Sequence, residues 1–175
     1  MRKVIVIPDD DLRLLTWVIM DGCLVNRKDK IHHIQFKLSK QRKINYLKTL
    51  LDKLDIPYTF QKATMSGCNK LQPYMIRIYG DYARSIDTQL NNDKQIPESF
   101  IDLTKEQFKV ILSMIAITDG SRSYCKYVWT TTSQNDFEIV LSLCGIHGIK
   151  HIVYNHKLSS GFPNAKKQYK MGFYL

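Results

Sequence analysis

The chain is short of cysteine, of proline and of acid, and it has no long apolar run. Its 175 residues include four cysteines, at positions 23, 68, 125 and 144. They form no Cys-x-x-Cys pair and no disulfide framework, so buried reduced thiols are expected and a zinc site is not. Histidine does not rescue a metal-cage reading. His32 and His33, adjacent in a strand, are expected on opposite faces, and His147 and His151 straddle a glycine at a helix end. Nowhere does the sequence approach the roughly 18 consecutive apolar residues of a membrane span. The apolar stretch near Met1 is too short and too soon broken by Asp9 to read as a secretory signal, so an intracellular protein is expected.

The shortage of acid is the most directive absence. Sixteen Asp and Glu face 26 Lys and Arg, a formal net charge of +10, with a pI near 9.4. A field of that sign attracts polyanions. With no basic amphipathic helix and no lipidation signal, nucleic acid is favoured over a membrane surface, although a basic balance can also serve solubility alone.

What is present is a pattern that occurs twice. An apolar helical run from Asp9 or Asp10 ends at Asp21-Gly22, and another, opened by the capping sequence Thr104-Lys105-Glu106-Gln107, ends at Asp119-Gly120. A carboxylate at the end of an apolar helix is costly to desolvate unless it is solvated, paired or bound to a metal. Two such ends suggest a two-carboxylate site at a pseudo-twofold interface.

Downstream of the first end, alternation marks a strand at 30–38, helical spacing a helix at 40–54, and β-prone runs two strands at 58–62 and 74–79. A short helix at 81–90 and a loop at 91–97 follow. Downstream of the second come a strand at 127–132, a helix at 134–147 stopping near Gly145 or Gly148, and strands at 150–158 and 167–174. Setting Ile149 on Ile56 places Leu143 on Leu50, Val140 on Leu47, Phe137 on Ile44 and Trp129 on Phe36 without gaps. Each half reads helix, strand, helix, strand, strand, which is an internal duplication. The longer interval from Asp21 to Phe36 than from Asp119 to Trp129 predicts a longer hairpin loop in the first half.

With both helices ending in Asp-Gly, the repeated element order, the loop Asp93-Lys94-Gln95-Ile96-Pro97 and the segment Thr130-Thr131-Thr132-Ser133, the chain resembles the LAGLIDADG homing endonucleases in their single-chain, two-repeat form. The resemblance covers about residues 9 to 175. It implies an α+β fold of two pseudo-symmetric αββαββ(α) half-domains, with saddle-shaped antiparallel sheets packed through two central motif helices. Residues 1–97 would form the first repeat with its linker, and 98–175 the second, lacking the closing helix. That reduced second saddle implies a shorter or asymmetric target.

The same resemblance implies a site-specific endonuclease that hydrolyses double-stranded DNA with Mg²⁺ or Mn²⁺. Asp21 and Asp119 become the metal ligands, with the backbone at Gly22 and Gly120 completing the coordination. Few hard oxygen donors suit a cation that keeps its waters and accepts phosphate oxygens. Lys94 falls on a family lysine near the scissile phosphate. Lys40, with Ser133 or Gln134 in the second half, falls where polar groups organise the attacking water. DNA readout in the major groove falls to Gln35, Lys37, Gln61, Lys62, Arg77, Lys126, Tyr127, Thr130, Asn155, Lys157 and Lys170, whose polar and basic side chains suit base edges and phosphates. The family's small motif-helix residues are here Leu15, Thr16, Ser113 and Met114, which predicts wider helix packing.

The alternative on the same scaffold is a non-cleaving nucleic-acid-binding protein, either an RNA maturase assisting splicing of its intron RNA or a DNA-binding regulator. A monomer is expected, in the cytoplasm of a bacterial or phage-infected cell or in an organelle matrix.

Overall fold

The computed structural model describes residues 7–27, 30–64, 71–90, 94–154 and 168–175. Two compact units emerge: Asp10–Lys94, and Met1–Asp9 together with Gln95–Leu175. The division thus falls just before residue 97, and the leading segment joins the later half. Gln107 ties that segment in, its Nε2 donating to the Ile7 carbonyl at 3.0 Å.

The first unit runs α1 (Asp9–Asp21), β1 (Cys23–Arg27), β2 (Lys30–Leu38), α2 (Gln41–Lys53), β3 (Tyr58–Lys62), β4 (Tyr74–Tyr79) and α3 (Gly80–Gln89). Its antiparallel sheet has the order β1-β2-β4-β3. Ile34, Phe36, Leu38, Ile76 and Ile78 are buried on one face, as the period-two alternation of β2 demands. Helix α2 buries Ile44, Leu47, Leu50 and Leu51, the stripe its spacing predicts. In α1, seven residues from Leu12 to Ile19 are buried, so no face of it is polar in its middle.

The second unit runs α4 (Lys105–Thr118), β5 (Ser121–Ser123), β6 (Lys126–Thr131), α5 (Gln134–His147), β7 (His151–Tyr154) and β8 (Tyr169–Phe173), preceded by a 3₁₀ turn at Glu98–Asp102. Its sheet order, β5-β6-β8-β7, repeats the first topology. The Thr104–Gln107 capping box opens α4 as expected. Helix α5 ends at Gly148, whose φ of 63° is left-handed and cheap only for glycine. Trp129, Met171 and Phe173 build the inner face.

Each unit therefore follows αββαββ, with α3 added to the first. Strands β1 and β5 are what periodicity misses. Cys23-Leu24-Val25-Asn26-Arg27 and Ser121-Arg122-Ser123 carry too little alternation to signal a strand, and each is recruited by the ladder of its neighbour.

Two readings from the sequence are corrected. Cys144 is buried, and burial pushes its thiol up to about 12, but Cys23, just past the end of α1, and Cys125, in the turn between β5 and β6, are exposed. Cys68 lies outside the described residues. His32 and His33 do not lie on opposite faces. The ladder skips a residue there, pairing Val25 with His33 and Asn26 with Ile31, and this bulge brings both imidazoles to Tyr79 with their Nδ1 atoms 2.8 Å apart. No described helix is long and apolar enough to cross a membrane.

Candidate metal and nucleic-acid site

The site in the first unit begins with the end of α1. Gly22 N donates to the Val18 carbonyl at 3.0 Å, closing the last turn. A Cβ on Gly22 would stand 2.6 Å from that same oxygen, and one on Gly120 would stand 2.6 Å from Ala116 Cα, so glycine is required at both places by close approach alone. This packing gives the Asp-Gly pair a structural reason that holds with or without a metal.

Asp21 is the last residue of α1, where the helix dipole is negative and a carboxylate is disfavoured. It is stabilised by Lys43 on α2, whose Nζ lies 2.6 Å from Asp21 Oδ2, the two side chains being 12% and 18% exposed. Asp21, Lys37, Ser39, Lys40 and Lys43 line a cleft of about 450 Å³. Lys40 is the residue before α2, so the start of that helix delivers both lysines one turn apart. Lys94 Nζ donates to the Met20 carbonyl at 3.4 Å, which sets a further ammonium at the C-terminal turn that Asp21 ends. Lys40 and Lys94 are thus both brought to the Asp21 end of α1. Lys43 is the residue that sequence reasoning missed; its signal was the helical spacing from Lys40.

In the second unit Asp119 closes α4, its N–H donating to the Ile115 carbonyl at 3.0 Å and its side chain exposed. Ser133 caps α5 by accepting from Asp136 N at 3.2 Å. Gln134 donates to Glu138 and accepts from the Tyr169 hydroxyl at 2.8 Å, so its amide is held in place.

The solvent faces of the two sheets carry most of the polar residues expected there, with exceptions. In the first sheet Gln35 pairs in register with Arg77, and Lys37 with Met75, which pairs in turn with Gln61. Lys62 pairs with Tyr74 and so has the parity of Leu38, the opposite of Gln61; the register of β3 is unbroken, so these adjacent residues take opposite faces and Lys62 is removed from this one. In the second sheet Thr130 pairs with Lys170, and Lys170 with Tyr154. The ammonium groups of Lys126 and Lys170 lie 5.2 and 5.3 Å from the Tyr154 ring centroid. A hydrogen bond to the Tyr154 hydroxyl holds the Lys126 pKa above its usual value. Tyr127 has the parity of Trp129 and stacks on Phe173, so it too leaves the outer face. Asn155 and Lys157 lie outside the described residues.

The donor chemistry fits a hard divalent cation held by few protein ligands. Each motif helix ends in one carboxylate beside a backbone turn, and among the described residues no three His, Cys, Asp or Glu converge to make a closed cage. A cation at Asp21 would rest on that carboxylate and keep most of its waters.

No protein-family model and no curated protein matches the sequence. Solved structures do match the fold. A structure of mesophilic variants of the homing endonuclease I-DmoI shares a TM-score of 0.65 at 12% identity, over 95% of this chain and 89% of that one. A substituted I-DmoI in complex with its target DNA in the presence of Mn gives 0.64 at 11% identity, over 94% and 88%. The N-terminal LAGLIDADG domain of DUF199/WhiA gives 0.57 at 14%, over 95% and 75%. The chain has the LAGLIDADG fold, α+β with two half-domains and two four-stranded antiparallel sheets. Within that fold it is similar, over nearly its whole length, to the single-chain homing endonuclease I-DmoI.

Proposed function

We propose that the protein is a site-specific endonuclease that hydrolyses both strands of a DNA duplex, with Mg²⁺ or Mn²⁺ held at Asp21 and Asp119. The observation that carries this reading is the cleft in which Asp21 meets Lys37, Lys40 and Lys43. One acid among three cations suits a site that must hold a divalent ion and a phosphate together. Asp21 and Asp119 would each hold a divalent cation, which when bound would supply activation of water and neutralisation of charge on the leaving oxygen. Lys94 would supply positive charge where the phosphoryl group gains negative charge, and Lys40 would help organise the attacking water. The outer faces of the sheets, with Gln35, Arg77, Gln61, Thr130 and Lys170, would lie in the major groove. The reading places the protein as a monomer in the bacterial, phage-infected or organellar compartment that holds its target.

The test is incubation with the flanking genomic DNA, joined as if the gene were absent, with and without Mg²⁺. Metal-dependent cutting is expected, falling at least 10²-fold in both Asp21→Asn and Asp119→Asn. One observation favours a second reading, a non-cleaving binder of DNA or of intron RNA: the Asp21 carboxylate is already neutralised by Lys43, as a purely structural acid would be. Tight binding without cutting at any metal concentration selects it.

A further inference from the structure

Lys43 lies where it can act on the metal, an inference that rests on the reading of Asp21 as a cation ligand. Its ammonium is 2.6 Å from Asp21 Oδ2, and both groups are largely withdrawn from water. A single carboxylate oxygen cannot hold a hard cation at close range and an ammonium at hydrogen-bond range without the two positive charges opposing each other. The C-terminal end of α1 favours a cation beside Asp21, because the dipole adds to the negative charge of the carboxylate. Lysine suits a temporary occupant: it is a point charge on a flexible stem, whereas an arginine fork would be harder to displace. Lys43 also sits in the first turn of α2, a helix with no acid in that turn and therefore with an unscreened positive end. Away from Asp21, the ammonium has the cleft of Lys37, Ser39 and Lys40, a surrounding that draws an anion.

We propose that Lys43 is a built-in counter-cation for Asp21, displaced by the divalent ion and turned by that displacement toward the phosphate in the Lys37–Lys40 cleft. It keeps the helix end stable without metal and lowers the affinity for metal in the absence of DNA. Phosphate and metal then bind cooperatively, since phosphate rewards the same movement that metal requires.

The test needs no cleavage. Divalent-ion binding is measured on the full chain without DNA, by calorimetry with Mn²⁺, alongside thermal unfolding with and without Mg²⁺. Lys43→Met and Lys43→Gln are expected to lower Tm in the absence of metal, to bind Mn²⁺ on the order of tenfold tighter, and to gain more Tm from Mg²⁺ than the parent protein. Lys43→Arg is expected to bind Mn²⁺ more weakly. Unchanged or weaker Mn²⁺ binding in both neutral variants overturns the proposal, as does tighter binding that survives in an Asp21→Asn background. If Asp21→Asn weakens Mn²⁺ binding while the Lys43 variants leave it alone, only this proposal fails. If Asp21→Asn changes nothing, the reading of Asp21 as a ligand fails with it.

Discussion

His33 shows how much a single residue's surroundings can outweigh its sequence neighbours. Its pKa lies below the usual 6.5, first because burial penalises the charged ring, then because His32 and Arg77 add positive charge; a hydrogen bond to Gln35 opposes both. A depressed value means that the fold favours neutral imidazole, so this contribution to stability is fully present above pH 6.5 and is lost as pH falls through the lower, folded value. An NMR titration is expected to place the His33 midpoint below 6.5, with Tm declining on acidification across that window. Replacing His32 with glutamine is expected to raise the midpoint; a His33 that titrates at 6.5 in both proteins sinks this account. Adjacent positions in a strand predict opposite faces, and that prediction failed here because it assumes an unbroken ladder. The bulge is a property of the pairing of β1 with β2, which no reading of β2 alone contains. Lys62 was misplaced by the converse slip, since two adjacent residues of β3 were both given to one face. Lys43 was legible as a helix residue, but its meeting with Asp21, across 22 positions, was not.

At the scale of elements, what repetition made readable was the helices and the inner strands. Period 3.6 in α2 and period 2 in β2 reflect burial on one side, and burial is what a pattern of apolar residues records. The edge strands β1 and β5 bury little, so they leave no such record. The helix starts were legible where capping chemistry is local, as at Thr104 and Ser133; what a helix start binds from a distant segment was not. Asp136 is the example. It lies in the first turn of α5, is only 6% exposed, and its Oδ1 accepts from Ile96 N at 2.7 Å. That bond anchors Ile96-Pro97, both buried, to the helix start. Asp136→Ala leaves the Ile96 N–H buried and unpaired and is expected to cost about 1–3 kcal/mol by chemical denaturation. Asp136→Asn keeps an acceptor and is expected to cost clearly less. Equal losses in the two variants would mean that the bond is not what holds the segment.

For the whole molecule, the net charge of +10 and the lysine-bearing faces predict a strongly salt-dependent affinity for duplex DNA. Lys126→Gln and Lys170→Gln, flanking Tyr154, are each expected to reduce the slope of log affinity against log salt by about 1 if their ammonium groups meet phosphate. Binding measured between low and moderate salt decides it, and slopes that do not move would remove these lysines from the phosphate contacts. The sequence by itself determined the duplication, the two Asp-Gly helix ends, the sign of the charge and the order helix, strand, helix, strand, strand of each half, because each is written in local spacing or in composition; the edge strands that complete αββαββ were implied only by the family resemblance. Only the tertiary structure decided which cation stands on Asp21 and which residues share the outer face of each sheet. Those depend on strand register and on the approach of side chains far apart in the chain, and distance along a sequence carries no direct measure of distance in space.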